Sequence, residues 1–169
     1  MSIQTVGIIG AGIMGNGIAQ ACAAAGIDVV MLDINEAAVQ KGLATISASL
    51  DRLVKKEKMS AEQKAAAMAR IKPTTQMGDM KAAGIVIEAA TENAGLKLKI
   101  IKEVEGVIGA EAIIASNTSS ISITQMAAAT ARPDKFIGMH FFNPVPMMAL
   151  VEIIRGLQTS DATDRKSVV

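Results

Sequence analysis

The one histidine of the sequence, His140, stands at the end of the apolar run Phe136-Ile137-Gly138-Met139. Twelve residues later a glutamate, Glu152, interrupts the apolar run Ala149-Leu150-Val151-Glu152-Ile153-Ile154. An imidazole gains and loses a proton near neutral pH, so a histidine at a strand end is a candidate general acid/base. By position alone, a half-buried histidine bonded to backbone is the commoner case. Glu152 shifts the balance. An unpaired carboxylate is costly in apolar surroundings, so Glu152 either faces solvent or has a partner, and His140 is the nearest candidate. A carboxylate on one ring nitrogen fixes the tautomer and leaves the other nitrogen free to exchange a proton with a substrate.

A second chemistry is carried near the other end of the chain. Gly10-Ala11-Gly12-Ile13-Met14-Gly15 fits the spacing G-x-G-x-x-G, a common pattern when it stands alone. Here it follows the apolar run Thr5-Val6-Gly7-Ile8-Ile9 and opens a helical stretch. An acid, Asp33, lies twenty-one positions beyond Gly12 at the end of a second apolar run, as in a dinucleotide-binding unit. The first glycine permits a tight turn, the second lets backbone approach a pyrophosphate, and the third lets helix and strand pack closely. The helix N-terminus offers unpaired N–H groups to the phosphates. Asp33 would accept hydrogen bonds from both hydroxyls of an adenosine ribose and repel the extra phosphate of NADP, so the expected cofactor is NAD.

Other polar groups cluster between these two. Ser116-Asn117-Thr118-Ser119-Ser120 ends the run Ala112 to Ala115 with four hydroxyls and an amide. Such segments are usually loops or helix caps; orienting a substrate oxygen is the sharper reading. Glu88 and Glu92, with Lys97 beyond, would touch a ribose or begin an ordinary solvated helix. The cluster Lys55-Lys56-Lys58 reads as a solvated face, or as a site for the phosphorylated handle of a substrate.

These residues need a scaffold that brings them to one edge. Strands are expected at Thr5–Ile9, Asp28–Asp33, Ile71–Thr74, Ile85–Glu88, Ala112–Ser116, Phe136–His140 and Leu150–Ile154. The spacing predicts helices from about Met14 to Ala25, stopped by Gly26, and from Glu36, capped by Asn35, into the lysine cluster. Ser60 and Gln63 have the spacing of a capping box for a further helix to Ala69, and Leu96 to Ile108 has helical periodicity. The alternation implies an α/β fold: a Rossmann-type, mostly parallel sheet with helices on both faces and a helical-pair insertion. Residues 1–158 read as the nucleotide-binding domain carrying His140. Residues 159–169 read as the start of a linker or of a truncated helical domain, with a helix beginning at Ser160 or Thr163.

Composition agrees with this plan. The 169 residues hold 17 Lys plus Arg against 16 Asp plus Glu, a formal charge of +1, which argues against a nucleic-acid or anionic-membrane partner held by net charge. Half the residues are hydrophobic but only 2% aromatic, so the core is aliphatic. One Cys and one His exclude a multi-Cys zinc site and a disulfide framework, and no metal is expected. No apolar run reaches the roughly eighteen residues of a membrane span, and the glycine motif begins where a secretory leader would lie. The expected setting is the cytoplasm.

Taken together, the blocks Gly10–Gln20, Glu88-Ala89-Ala90-Thr91-Glu92-Asn93, Ser116–Ser120 and His140-Phe141-Phe142-Asn143-Pro144-Val145-Pro146, with Leu150-Val151-Glu152 downstream, resemble the 3-hydroxyacyl-CoA dehydrogenases, and within them the bacterial 3-hydroxybutyryl-CoA dehydrogenases. The resemblance covers nearly the whole chain, and its last two blocks are the specific ones. It implies NAD-dependent oxidation of a 3-hydroxyacyl-CoA to the 3-oxoacyl-CoA, with His140 as catalytic acid/base and Glu152 as its orienting partner. It further implies Ser119 at the substrate β-oxygen and Asn117 where nicotinamide and substrate meet. Gly10, Gly12, Met14, Gly15, Asp33, Glu92 and Lys97 fall at cofactor positions. Asn143, Ser49 and Lys56 fall at substrate positions, the last two toward the CoA moiety. The family's helical C-terminal domain, which supplies another active-site Asn and most of a homodimer interface, has no counterpart here. The alternative reading is therefore an inactive NAD-binding fragment or a structural homologue without turnover.

Overall fold

A computed structural model describes residues 2–168. In chain order the elements are β1 (Thr5–Ile9), α1 (Ile13–Ala24), β2 (Asp28–Leu32), α2 (Glu36–Lys55), α3 (Ala61–Ala69), β3 (Ile71–Thr74) and β4 (Ile85–Glu88). Then follow α4 (Ala94–Glu105), β5 (Ile113–Ser116), α5 (Ile123–Ala128), β6 (Phe136–Phe141), β7 (Val151–Arg155) and α6 (Asp161–Ser167). Three short 3-10 turns lie at Met77–Ala82, Pro133–Lys135 and Val145–Met147. All seven strands join one sheet in the order β3-β2-β1-β4-β5-β6-β7. Only the pairing of β6 with β7 is antiparallel, because the segment joining them is too short for a helical crossover.

The central strands are apolar throughout because both faces are covered. Side chains alternate with period two. Val6, Ile8, Ile85, Ile87, Ile113 and Ala115 pack toward Ile18, Val39, Ile46 and Leu50 of α1 and α2. Ile9, Val86 and Ile114 pack on the other side with Ile101 and Val104 of α4 and Met126 of α5. The strand order reverses between β1 and β4, opening a crevice at the carboxyl ends of the strands.

Several helix boundaries follow from local chemistry. Asn35 accepts from the Ala38 N–H to start α2, and Ser60 with Gln63 forms the full capping box of α3. Gly26, at φ +87°, ends α1: its N–H donates to the Ala23 carbonyl and that of Ile27 to the Cys22 carbonyl, the paired bonds of a left-handed helix terminus. The α5 helix is absent from the sequence reading because six residues give too little periodicity, although Ser122 caps it on Gln125. The final strand is displaced by one residue from the expected Leu150–Ile154. Leu150 is exposed, and Arg155 is instead the last strand residue, reaching Asp161 and Asp164 of α6 at 2.8 and 3.3 Å. Ser160 rather than Thr163 caps α6.

The tightest packing constraint lies at Gly15, where a Cβ would fall 1.7 Å from the Gly10 carbonyl oxygen. Gly15→Ala is therefore expected to lower unfolding free energy by about 3 kcal/mol, measured by urea denaturation. Cys22 of α1 is partly buried, and burial pushes its thiol up to about 11. At pH 8 only about one thiol in a thousand is then the reactive thiolate. Cys22 should react slowly with a disulfide reagent in the native protein and rapidly in denaturant; equal rates in the two states would contradict this environment.

Candidate functional site

The crevice is bounded on one side by the glycine turn. Gly10 has φ +106°, and a Cβ there would meet the Ala89 carbonyl oxygen at 2.7 Å, so β1 and the segment after β4 touch through a residue with no side chain. Gly12 precedes α1 in extended conformation, has no side-chain cap, and faces open space with nothing within 4 Å of a Cβ. The first turn of α1 contains no acid. Its leading N–H groups are thus free for an anion, with the positive end of the helix dipole behind them.

Asp33 is locked against this turn. One carboxylate oxygen accepts from the Ala11 N–H at 2.8 Å and the other from the Ile34 N–H at 2.7 Å. The acid stands between two cavities. One, of about 360 Å³, is lined by Gly12, Lys41, Ser49, Arg52 and Asn143 as well as Asp33. The other, of about 400 Å³, has the walls Gly10, Ile34, Thr91, Leu96 and Ile100 around the same acid. The first offers charge to phosphates; the second offers apolar surface to a flat ring.

The tips of β4, β5 and β6 form the other side. His140 and Glu152 are direct cross-strand partners in the β6–β7 register, on one face of the pair. Nδ1 of His140 lies 3.0 Å from a Glu152 carboxylate oxygen, with the histidine side chain 21% and the glutamate 52% exposed. With Nδ1–H donating to Glu152, the other ring nitrogen is left as a proton acceptor. The Phe142 ring packs at 4.6 Å between centroids, tilted 50°. The Asn117 amide oxygen accepts from the Phe141 N–H at 2.9 Å, which ties the β5 tip to the residue after His140.

The residues singled out from sequence fall into distinct places. His140 and Glu152 come together, and Glu152 both faces solvent and has a partner, because β7 is the edge strand. Gly10, Gly12, Gly15 and Asp33 form one turn. Met14 packs its side chain partly against the core, leaving its backbone at the helix start. Ser49 and Asn143 line the same cavity, whereas Lys56 is exposed at the end of α2 and outside that wall. Ser119 and Glu92 are exposed on neighbouring loops.

Lys97 and Glu88 depart from expectation. The helix start is solvated from Glu92 to Leu96, but Lys97 is not: its Nζ lies 2.6 Å from a Glu88 carboxylate oxygen, with side chains 2% and 1% exposed. Of the two readings, a ribose contact or an ordinary solvated helix start, the second does not hold for Glu88 and Lys97; the Lys97 ammonium is directed to the buried carboxylate. Lys41, Thr45 and Arg52 in the cavity wall went unnoticed. Their spacing with Ser49, one helical face of α2, was the available signal.

Comparison with known proteins places the fold and the turn in context. The family model described as "3-hydroxyacyl-CoA dehydrogenase, NAD binding domain" matches residues 5–168. A 3-hydroxybutyryl-CoA dehydrogenase of Bradyrhizobium diazoefficiens is 51% identical over 161 residues, 95% of this chain and 55% of that protein. The fatty acid oxidation complex subunit alpha of a Psychrobacter species is 45% identical over 159 residues, 94% of this chain and 22% of that protein. The crystal structure of (S)-3-hydroxybutyryl-CoA dehydrogenase from Ralstonia eutropha superposes with a TM-score of 0.97 at 67% identity, over 98% of this chain and 59% of that one. The chain thus spans little more than half of its shorter relatives.

The open space at Gly12 separates binding from stability. Gly12→Ala should leave the urea midpoint unchanged and weaken NADH binding by about tenfold or more, a loss of about 1.4 kcal/mol, measured by fluorescence titration.

Proposed function

Because the chain belongs to the 3-hydroxyacyl-CoA dehydrogenase family, as its NAD-binding domain, we propose that it carries the cofactor site and proton-handling pair of an enzyme interconverting (S)-3-hydroxyacyl-CoA and 3-oxoacyl-CoA. A short acyl chain such as 3-hydroxybutanoyl is the proposed substrate. The observation that carries this reading is the His140–Glu152 pair at the tip of β6, on the same sheet edge as the glycine turn.

The residues fit the cofactor. The uncapped start of α1 meets a pyrophosphate, and Asp33, already oriented by two backbone N–H groups, retains lone pairs for the ribose hydroxyls. Bound NAD supplies the acceptor for hydride leaving the β-carbon. His140 takes the proton of the β-hydroxyl on the nitrogen not held by Glu152, and the C–O bond becomes a carbonyl. Glu152 stabilises the imidazolium so formed; in the reductive direction His140 returns the proton to the oxygen. Ser119, on the adjacent loop, is assigned to orient that oxygen, and Asn117 to hold the neighbouring tip in place. The cavity with Lys41, Ser49, Arg52 and Asn143 suits the phosphates and polar chain of CoA.

A second reading is favoured by coverage. The chain spans 55% of its Bradyrhizobium relative, so binding without turnover is expected if groups from the remaining part complete the site. We assign dimer contacts to that remaining part too. The test is NADH oxidation with acetoacetyl-CoA and longer 3-oxoacyl-CoA substrates, comparing this chain with a version extended to its relatives' length. Turnover only in the extended form assigns this chain to cofactor binding; none in either rejects the dehydrogenase reading. In the extended form, His140→Gln or Glu152→Gln should lower kcat by about a hundredfold or more with NADH affinity little changed. Comparable turnover in either variant removes the pair from the mechanism.

A further inference from the structure

Ten polar or charged side chains are buried among the described residues, and nine of them hydrogen-bond within the chain. Gln20 is the exception. It lies on α1, 3% exposed, in the wall of the charged cavity, and its carboxamide bonds to no other described residue. No side-chain nitrogen or oxygen among the described residues is both sealed from solvent and unbonded, so the amide of Gln20 opens on the cavity. Interior polar groups are paired as a rule, because losing water without gaining a partner is costly. The carboxamide therefore finds its partner in what fills that space, and it offers both N–H donors and a carbonyl acceptor.

The rest of the wall indicates the kind of ligand. Asn16 lies one turn before Gln20 on the same face of α1 and gives one amide hydrogen to the Ala11 carbonyl at 3.3 Å. Opposite, α2 presents Lys41, Thr45, Ser49 and Arg52. Eleven residues separate the two cations, about 16 Å along the helix, and neither has an ion-pair partner among the described residues. The loop at Asn143 closes the third side. It seats on α1 because Gly17 has no side chain: a Cβ there would fall 2.9 Å from the Val145 Cβ. Two helices and a loop thus make a channel with carboxamides and hydroxyls along its middle and Arg52 near the far end of α2. An elongated ligand with secondary amides in its middle and phosphate at one end matches this order. We propose that Gln20 is a binding residue for the amide-bearing chain of an acyl-CoA, the pantetheine segment between thioester and phosphates, its carboxamide pairing with an amide group of that chain. The proposal rests on the acyl-CoA dehydrogenase reading above and adds to it a residue that recognises the carrier rather than the acyl group.

The experiment separates carrier from cofactor and from acyl group. Gln20→Met keeps the length and helix preference of the side chain and removes its amide. Unaltered and variant proteins, as this chain and in the extended form, are titrated calorimetrically with CoA and with NADH, and thermal unfolding is recorded. The extended forms are assayed with acetoacetyl-CoA and with S-ethyl acetothioacetate, a thioester that has no amide. Expected are CoA binding weakened by about tenfold, the scale of one lost hydrogen bond in a dry site, with NADH affinity unchanged and the unfolding midpoint not lowered. KM for acetoacetyl-CoA should rise by about tenfold at little-changed kcat, the mark of lost uniform binding, while kcat/KM for the amide-free thioester stays the same. Unchanged CoA affinity overturns the proposal. So does an equal loss of NADH affinity, which marks a cofactor contact, or an equal loss with the amide-free thioester, which marks a general disturbance of the site. If Gln20→Met does not fold, Gln20→Ala is judged by the same measurements; failure of both to fold shows the amide serving the fold and overturns the proposal. No CoA binding by either unaltered form overturns it as well. CoA binding without turnover in the unaltered extended form defeats the dehydrogenase reading and leaves the titrations to judge Gln20.

Discussion

The approach of α1 to the end of β1 governs everything built above it. Gly15 sits so close to Gly10 that no side chain fits between them, and this brings the helix N-terminus to the strand tips rather than one residue's width above them. The helix dipole and the unpaired N–H groups then act across a short gap, where their field is strong. Asp33 is held to the same turn by the Ala11 N–H. The helix N-terminus and the Asp33 carboxylate therefore share one rigid piece of backbone.

On the other side of the crevice, two carboxylates serve in opposite surroundings. Glu88 is buried with three donors, so its charge is committed to architecture. Glu152 is half exposed on the edge strand and engages the imidazole alone. The difference has a physical cause. A buried, saturated carboxylate cannot change its bonding without large cost, whereas an edge-strand carboxylate beside a histidine can accompany a change in protonation. Fixed charge underneath and responsive charge above is a division of labour that follows from strand position.

Much of this was legible in the sequence, because the chemistry and the fold share the same punctuation. The glycine spacing, Asp33 and the apolar runs announced a parallel sheet with a nucleotide turn, and all seven strands begin within one residue of their expected positions; Phe136 and Ile71 begin theirs without displacement. Asn35, Ser60 and Gly26 marked helix ends because capping is local. What escaped was non-local. Nothing in the pattern tells that Lys97 turns inward, since a lysine at a helix start is ordinarily solvated; only the pairing of β4 with β5, which sets Glu88 beside Ser116, creates the polar pocket that receives it. The six-residue α5 was too short for periodicity to reveal, and the α2 wall of the charged cavity needed the helix to be laid against the loop at Asn143.

His140 and Glu152 face each other because residues opposite in an antiparallel ladder share a face, and neighbours along a strand do not. A slip of one peptide unit between β6 and β7 would send the glutamate to the far side of the sheet, with both residues still present. The stretch from Phe142 to Leu150 is thereby constrained in its length as well as in its side chains. Counting residues across that connection tells as much about whether the dyad can assemble as reading the two letters that compose it.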